Sequence, residues 1–315
     1  MVGLFFTDML KPMTTDPTLL PAMQVLDGPA TAQALPWALL MEEVAQVCRE
    51  HREGRLVCPP RQVLPLRQDG VLLVMPCMSD TLAITKLVSV HPLNASLGLP
   101  TIAGEVVALD SRTGQRLAVL DGPTLTARRT AAVTMLAVQH LARRAPRRVL
   151  VVGGGVQAHS HVQALQALHP QATIHVQGHQ AVPAFVETLG VEPLPPESQT
   201  RHDWDLIICA TTSRVPVLRP GVGEGAVVVG VGAFREDMVE LPPELLRGAQ
   251  VWVDDPVGAQ AEAGDLMAAG LFEPQASLDD LVAGARPADD GRTRVFKSVG
   301  CARWDLAAAR VAVRR

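Results

Sequence analysis

Three consecutive glycines at the end of an apolar run form the pattern in this chain that most directly suggests chemistry. Residues 149–152 are apolar, Gly153 to Gly155 follow, and Ala158 completes a Gly-x-Gly-x-x-Ala spacing. In dinucleotide-binding units such glycines permit a tight strand-to-helix turn and let a pyrophosphate approach the backbone, while the alanine lets the helix pack closely. The N–H groups at the helix start then hold the phosphates. The expected cofactor contacts are Gly153, Gly155, Val156, Gln157 and Ala158.

The end of the next predicted strand bears on which nicotinamide cofactor such a turn would hold. NAD-binding units usually place an Asp or Glu there, on the ribose hydroxyls, whereas this chain has Gln177, Gly178 and His179. Without a carboxylate nothing repels a 2′-phosphate, and His179 could add partial positive charge. The sequence therefore predicts NAD(P)H binding and favours NADPH over NADH. Alternatively, His179 is a solvated loop residue and Gln177 contacts the ribose of either cofactor.

Lys86 is a charged residue inside the mostly apolar run of residues 82–88. If its side chain is buried, desolvation lowers its pKa and prepares it to exchange a proton with a substrate nitrogen. If side chains alternate along a strand, position 86 simply faces water. The residue types leave both interpretations open. They also leave Arg61 and Arg129 open, because either arginine could be a surface or structural residue.

Composition excludes several classes of partner for the 315-residue chain. It is 48% hydrophobic and 19% charged, which is typical of a globular protein with a substantial core. A net charge of −4 and the lack of long basic runs argue against nucleic-acid or membrane partners. No apolar run approaches the roughly 20 residues that span a bilayer.

The cysteines and histidines show no metal-ligand or disulfide spacing. Five cysteines are scattered without a Cys-x-x-Cys pair, and the nine histidines form no ligand cluster. We therefore expect no disulfide framework and no metal. The N-terminal segment lacks the features of a signal peptide, so a cytoplasmic location is expected. His159 and His161, beside the glycine turn, could lie near the phosphates, but solvent-facing helix positions are expected.

The first part of the chain must position Arg61 and Lys86, and its pattern predicts one helix followed by a mostly antiparallel sheet. Apolar residues at spacings of three and four predict a helix from Pro36 to Glu53. The predicted strands, separated by turn residues, are Val71–Met75, Leu82–Val90, Gly104–Asp110 and Gln115–Leu120.

After residue 122 the pattern changes to alternating helices and strands. A long Ala-rich helix reaches about Arg144, and nearly continuous apolar strands follow, as in a parallel sheet buried on both faces. The predicted strands are Val149–Val152, Ala172–Val176, Asp205–Ala210, Ala226–Val231 and Gln250–Asp254. The fold class is thus α/β: a Rossmann-type doubly wound parallel sheet over residues 123–300, plus an α+β substrate-binding and dimerisation lobe formed by residues 1–122 and 301–315.

Separated segments in a common order resemble the ornithine cyclodeaminase/μ-crystallin family over roughly residues 58 to 310. In the first half these are Pro60-Arg61, Val74-Met75-Pro76, Lys86-Leu87-Val88-Ser89, Asn94 with Gly98-Leu99-Pro100-Thr101, Leu120-Asp121-Gly122 and residues 125–132. In the second half they are the glycine turn, Ala210-Thr211-Thr212-Ser213 with Pro216, Glu240-Leu241, residues 296–300 and Asp305-Leu306.

The resemblance implies a homodimer of two-lobed subunits with the active site in the cleft between the lobes. Members reduce imines of α-keto acids, oxidise amino acids such as alanine, or convert ornithine to proline with loss of ammonia; some bind small ligands without known turnover. By position, Lys86 is the implied proton-handling residue and Arg61 and Arg129 bind the substrate carboxylate. Further implied contacts are Val299 and Gly300 with substrate, and Thr101, Thr211, Thr212, Ser213 and Ser298 with cofactor. Asp305 is expected to be a cap or a salt-bridge partner.

Two departures from the family pattern argue against ornithine as substrate. The positions where cyclodeaminases carry a glutamate and an aspartate hold Leu73 and Phe234 here, and neither can bind an ammonium group or move a proton. Glu236 or Asp237 could replace the aspartate if the loop is shifted. We therefore expect an NAD(P)H-dependent reductase of a small cyclic imino acid such as pyrroline-2-carboxylate. Alanine dehydrogenase-like activity uses the same residues, and a cyclodeaminase or a non-catalytic binding protein remains an alternative.

Overall fold

The computed structural model describes residues 23–178, 182–195, 198, 204–219, 221, 226–273 and 275–314. These residues form two sheets. The strands of the first are β1 (Gln24–Leu26), β2 (Gln62–Pro65), β3 (Val71–Met78), β4 (Leu82–Val90), β5 (Ile102–Asp110) and β6 (Arg116–Asp121). Their spatial order is β1-β6-β5-β4-β3-β2, and every neighbouring pair is antiparallel except β1 with β6.

Three helical segments belong to this first part of the chain. Helix α1 (Gly28–Gln33) begins at Asp27, whose carboxylate accepts the Ala30 N–H, and α2 (Trp37–Arg52) follows. A 3-10 helix (Pro92–Leu97) connects β4 to β5. The buried residues of α2 recur at helical spacing, which is why this helix was predictable.

The second sheet has eight strands, all parallel, in the order β13-β12-β14-β11-β10-β7-β8-β9. The strands are β7 (Arg148–Val152), β8 (Thr173–Gln177), β9 (Glu192–Pro193), β10 (Leu206–Cys209), β11 (Val227–Gly230), β12 (Gln250–Val253), β13 (Ala276–Ser277) and β14 (Arg294–Lys297). The chain first builds outward from β7 to β9 and then returns to β10 on the other side of β7. This reversal makes the sheet doubly wound and Rossmann-type.

Helix α3 (Gly122–Leu141) connects the two sheets and is buried on nearly every side. The Asp121 carboxylate caps its start by accepting the Thr124 N–H at 2.8 Å. The remaining helices are α4 (Val156–Leu168), α5 (Val182–Leu189), α6 (Pro243–Gly248), α7 (Pro256–Glu262), α8 (Gly264–Ala269), α9 (Leu278–Val282) and α10 (Ala302–Val313). Helix α10 packs against α2, α3 and the first sheet.

The predicted fold class is confirmed, while several elements differ from the sequence-based expectations. The long helix ends at Leu141 rather than near Arg144, and β1 pairs in parallel although a meander was expected. The short strands β1, β2, β9, β13 and β14 were missed. Strand β14 was missed because charged residues end it: Arg294 and Lys297 are both buried, which a hydrophobicity pattern cannot anticipate.

Candidate active site

Lys86 faces the covered side of the first sheet. Along β4 the buried residues alternate, and Lys86 falls in phase with Ile84 and Val88, so that only 3% of it is exposed. Met75 and Val106 are its neighbours on the adjacent strands. The interpretation that position 86 faces water is therefore wrong. Burial lowers the pKa of Lys86 to about 8, opposed by the nearby charge of Asp305.

Asp305 holds both Lys86 and Arg129. Its Oδ2 lies 2.7 Å from Lys86 Nζ, and its Oδ1 accepts a hydrogen bond from Arg129 Nε at 3.0 Å. Arg129 is only 5% exposed and Asp305 is fully buried, because α3 and α10 are covered on most sides. Two buried cations thus share one carboxylate when Lys86 is protonated. The cluster carries one uncompensated positive charge, which favours the entry of an anion.

Gly300 brings the two arginines together. Its backbone has a φ of +80°, and a Cβ added there would lie 2.9 Å from Arg129 Nη1. On the other side, Arg61 Nη2 donates a hydrogen bond to the Gly300 carbonyl at 2.5 Å. A side chain at this position would displace the Arg129 guanidinium. The structure thus brings together three residues that the sequence assigned to substrate binding.

Asp254 fixes the loop that contains Gly300, and it was not predicted as part of the site. Its carboxylate accepts hydrogen bonds from the Ser298 hydroxyl and from the N–H groups of Val299 and Gly300, at 2.8 to 3.0 Å. It is fully buried and follows directly after β12. A carboxylate at the carboxyl end of a buried parallel strand is a signal from which this role could have been inferred.

A cavity of about 830 Å³ lies between the two sheets beside Arg61. Its walls come from residues 58–61 and Met75 on one side, and from residues 255–258 and 300–303 on the other. Glu262 also lines the cavity, and its Oε1 forms an ion pair with Arg61 at 3.2 Å from Nε. Burial raises the pKa of Glu262, while Arg61 lowers it. Lys86 and Arg129 do not line the cavity. Gly300 lines it and contacts the Arg129 guanidinium, which shares Asp305 with Lys86.

The glycine turn has the geometry that a dinucleotide requires. Gly153 has a φ of +139°, and a Cβ there would lie 2.6 Å from the Ala210 carbonyl oxygen, so only glycine fits. At Gly155, the N-cap of α4, no described atom lies within 4 Å of the added Cβ position. The N-cap makes no side-chain hydrogen bond, so the first N–H groups of α4 can bind phosphate. Val156 is exposed, and Ala158 is buried where α4 packs close to β7.

Two glutamines near this turn carry buried oxygens that have no hydrogen-bond partner in the described part of the chain: Gln157 Oε1 and Gln177 Oε1. Gln177 ends β8, and its carbonyl accepts the Gly153 N–H at 2.7 Å. A cofactor hydroxyl beside these side chains would satisfy such acceptors, so the residues present fit a dinucleotide. His179 lies outside the described residues.

His161 is buried, which corrects the expectation that it faces solvent. Its ring bonds to the Gln157 carbonyl at 2.7 Å and to the Thr134 hydroxyl at 2.9 Å. Burial lowers the pKa of His161 to about 4. His161 is therefore neutral and joins α4 to α3. His161 is buried because it lies on the same face of α4 as Ala158, Val162 and Leu165.

A second buried charge cluster supports the residues after β10. Glu240 accepts the Thr211 N–H and hydroxyl at 2.9 and 3.1 Å, and Lys297 Nζ lies 2.8 Å from Asp265 Oδ2. At the carboxyl edge of the sheet, Thr212 is exposed and Ser213 half-buried.

Thr101 lies apart from these residues. It is exposed at the start of β5. Its carbonyl accepts the His91 N–H at 2.8 Å.

Leu73 and Phe234, which stand where cyclodeaminases carry carboxylates, occupy different environments. Leu73 lies on β3 opposite Val88, on the same face as Lys86, and packs against the core of the first sheet. Phe234 is 37% exposed. Asp237, one of the two acids that could replace the missing aspartate, pairs with Arg214 and Arg235 at the surface, and Glu236 is exposed.

Two features are absent from the described residues. In that part of the chain, no three His, Cys, Asp or Glu side chains are grouped so that they could hold a metal ion. None of the helices assigned there is both long and apolar enough to cross a bilayer.

The sequence profile of the ornithine cyclodeaminase/mu-crystallin family matches residues 29–315. The chain belongs to this family. A relative within it, the Delta(1)-pyrroline-2-carboxylate reductase 1 of Burkholderia multivorans, is 43% identical over 302 residues, which cover 94% of this chain and 96% of the relative. The resemblance inferred from separated sequence segments is thereby confirmed.

Solved structures of this family agree with the two-sheet architecture. The Delta(1)-pyrroline-2-carboxylate reductase of Thermococcus litoralis, in complex with NADH and L-proline, superposes with a TM-score of 0.82 at 28% identity, covering 92% of this chain and 96% of that one. An archaeal alanine dehydrogenase dimer with bound NAD superposes with a TM-score of 0.83 at 28% identity, covering 92% and 95%.

Proposed function

We propose that this protein is an NAD(P)H-dependent oxidoreductase that reduces the C=N bond of a small cyclic imino acid, of the pyrroline-2-carboxylate type. The observation that carries the proposal is the buried cluster in which Lys86 and Arg129 share the single carboxylate of Asp305. A substrate carboxylate supplies the missing negative charge. A nitrogen next to the reacting carbon then takes its proton from Lys86.

Arg129 and Arg61 bind and orient the substrate carboxylate in this proposal. A planar guanidinium can hold a carboxylate through two parallel hydrogen bonds, which fixes both position and direction. Gly300 sets the spacing of the two arginines, and Asp254 sets the position of Gly300. Fixing the substrate by its carboxylate leaves the imine carbon in one orientation, so that much of the rate acceleration comes from positioning.

Lys86 transfers the proton. A pKa of about 8 leaves it mostly protonated at neutral pH yet able to give up the proton, which is the range in which general acids act most efficiently. Its proton goes to the imine nitrogen as that nitrogen gains electrons. Asp305 keeps the ammonium group directed and stabilises the charged form. In the reverse direction neutral Lys86 takes a proton from the amino acid.

The cofactor in this proposal lies along the glycine turn and the carboxyl edge of the second sheet. When bound, the reduced nicotinamide supplies the hydride. The N–H groups that follow Gly155 hold its phosphates, and Gln177 contacts its ribose. Thr101, Thr211, Thr212, Ser213 and Ser298 contact its nicotinamide half. The absence of an acid at the end of β8 favours NADPH over NADH, although the two structural relatives described above hold NADH and NAD.

The cyclic imino acid is favoured over ornithine because Leu73 lies on the same sheet face as Lys86 and Asp237 is paired with arginines at the surface. An apolar side chain at position 73 suits an uncharged ring. The similarity to the Burkholderia multivorans reductase, at 43% identity, supports the same choice.

The proposed location is a reducing cytoplasm, with which five free thiols are compatible. The proposed assembly is a homodimer. Residues 1–122 and 301–315 form its substrate-binding and dimerisation lobe, and residues 123–300 its dinucleotide-binding domain. Exposed apolar side chains concentrate around β2 and the start of β5, which suits a contact with a second copy of the chain. They are Val63, Leu64, Leu93, Leu97, Leu99 and Ile102.

A substrate panel tests the proposal. Purified protein is mixed with NADPH or NADH and with pyrroline-2-carboxylate, piperideine-2-carboxylate, or pyruvate plus ammonia or methylamine, and absorbance at the reduced-cofactor band is followed. Ornithine is tested separately for ammonia release. Fastest turnover with a cyclic imine supports the proposal. Tight cofactor binding without turnover of any candidate overturns it, and ornithine turnover shows that the inference from Leu73 and Phe234 fails.

A further inference from the structure

Cys58 and Cys77 lie opposite each other where the chain enters the first sheet. Val57 and Met78 exchange both backbone hydrogen bonds, at 2.9 and 2.8 Å, which makes the next residues an opposed pair. In a regular antiparallel pair such neighbours have Cα atoms about 4.5 Å apart. Disulfides join residues whose Cα atoms are about 4.4 to 6.8 Å apart. The backbone spacing therefore lies at the short end of the range that a disulfide can bridge.

The local strand geometry directs this pair toward Arg61. Between the 57–78 bridge and the Gln62–Val74 pair, residues 58–61 oppose residues 75–77, so one strand has an extra residue. Such a bulge bends its strand and re-aims side chains. The bulged segment is Cys58-Pro59-Pro60-Arg61, in which two prolines with fixed φ connect the cysteine to the arginine.

The two thiols differ in accessibility and reactivity. Cys58 is half-buried and lines the cavity beside Arg61, whereas Cys77 is 2% exposed. The neighbouring Cys77 thiol lowers the pKa of Cys58 to about 7, and Cys58 together with burial raises that of Cys77. The positive charge of Arg303 also lowers the pKa of Cys58.

The other three cysteines are less suited to react. All lie in described parts of the chain, and burial raises the pKa of Cys48, Cys209 and Cys301. Since the thiolate is the nucleophile, Cys58 is the most reactive of the five at neutral pH. Cys301 also lines the cavity, so it is the competing partner that an experiment has to separate from Cys77.

We propose that Cys58 and Cys77 are a peroxide-oxidisable dithiol, and that their disulfide weakens substrate binding through Arg61. The Cys58 thiolate attacks one oxygen of hydrogen peroxide, the O–O bond breaks, and with one proton the products are a sulfenic acid and water. The Cys77 sulfur then attacks the Cys58 sulfur, an S–S bond forms, and the hydroxyl leaves with the Cys77 proton as a second water. The two thiols lose two electrons, and the peroxide gains them.

The effect on Arg61 follows from bond length. A disulfide holds its sulfurs about 2.05 Å apart, which is much closer than two unlinked thiols can approach. Because disulfides favour a Cα separation of about 5.5 to 6 Å, forming the bond shifts Cys58 relative to β3, and the rigid Pro59-Pro60 pair transmits the displacement to Arg61. The hydrogen bond from Arg61 to the Gly300 carbonyl is then strained or lost. This consequence for KM rests on the proposed function, whereas formation of the disulfide does not.

The disulfide is tested by peptide mapping. The reduced full-length protein is treated with a small molar excess of hydrogen peroxide, alkylated in denaturant and digested with trypsin without reductant. The expected product links the peptides of residues 56–61 and 68–86, with loss of two of the five free thiols and reversal by dithiothreitol. The link persists in Cys301→Ala and is absent in Cys77→Ala. A wild-type protein without this linked peptide overturns the proposal.

The kinetic consequence is measured on the same samples. We expect oxidation to raise the KM for the imino acid at least threefold with little change in the KM for the cofactor, and dithiothreitol to restore it. Cys77→Ala shows no such rise under the same treatment. If the wild-type protein forms the disulfide but its KM is unchanged, the proposed effect of the disulfide on Arg61 is wrong. Absence of turnover in the reduced protein contradicts the proposed function instead, and the peptide map decides the thiol chemistry independently.

Discussion

Lys86 Nζ lies 2.7 Å from Asp305 Oδ2, although one residue is on a strand of the first sheet and the other on the last helix. The pair is almost completely buried, and Arg129 occupies the second carboxylate oxygen. A lysine in this environment is held near its pKa because desolvation favours the neutral form and the carboxylate favours the charged one. This contact therefore supports the proton-transfer role that we propose for Lys86.

The pH dependence of imine reduction should report this lysine. With a pKa of about 8, Lys86 carries the transferable proton below pH 8 and loses it above. We expect kcat/KM for reduction to stay constant below pH 8 and to fall about tenfold per pH unit above pH 8. For amino-acid oxidation, which needs neutral Lys86, kcat/KM should instead rise up to pH 8. If the limb near pH 8 persists in Lys86→Met, the group responsible is not Lys86.

Substitution of Arg129 by lysine should weaken carboxylate binding. Lysine keeps the charge but cannot hold a carboxylate through a planar fork. We expect KM for the imino acid to rise about ten- to hundredfold, which corresponds to ~1.4 to 2.8 kcal/mol. The adjacent Arg128 stacks on Trp37 and donates to the Leu35 carbonyl, so Arg128→Lys is a matched control with near wild-type KM. Equal effects of both substitutions would argue for a general change in α3.

The two outer glycines of the turn should respond differently to alanine. At Gly153 the added Cβ would clash with the Ala210 carbonyl, so we expect Gly153→Ala to lower the melting temperature. At Gly155 the same change meets no described atom, so the fold should keep its stability while the methyl group obstructs the phosphates. Thermal melts and cofactor titrations distinguish the two effects. Unchanged cofactor affinity in Gly155→Ala would place the phosphates elsewhere.

Cofactor preference should depend on Gln177. We expect the wild-type protein to use NADPH with a higher kcat/KM than NADH. In Gln177→Asp a carboxylate would bind the ribose hydroxyls and repel a 2′-phosphate, so that the ratio should shift toward NADH by at least tenfold. Steady-state kinetics with both cofactors measure the ratio. A preference that is insensitive to this substitution would show that the end of β8 does not contact the ribose.

The parallel sheet was largely predictable because its strands are buried on both faces and read as continuous apolar runs. Residues 206–209 and 227–230, for example, are all buried. The short strands β1, β2, β9 and β13 have too few residues to show an alternation of apolar and polar side chains. Strand β14 was obscured because the charge of its buried Lys297 is compensated by Asp265, which comes from a distant segment of the chain.

The candidate site was predictable in part, because its residues are chemically conspicuous but their partners are distant in sequence. Lys86 could be singled out in its strand, yet only the fold decides which sheet face it occupies. Asp254 was missed because its role depends on Gly300, which follows the neighbouring strand β14, and Glu262 was missed because its role depends on Arg61 in the first lobe. Such pairings arise from the packing of helices and strands that the sequence pattern does not orient.

Transfer of deuterium from the cofactor to the product tests the central claim most directly. Pyrroline-2-carboxylate is incubated with the protein and with NADPH or NADH that is deuterated at the transferable position of the nicotinamide, and the product is analysed by mass spectrometry and NMR. We predict proline with one deuterium at Cα, formed in a one-to-one ratio with oxidised cofactor. In Lys86→Met the yield should fall by a factor of about 10² to 10⁴ while cofactor binding persists. Unlabelled proline, or no proline at all, would contradict imine reduction by this protein.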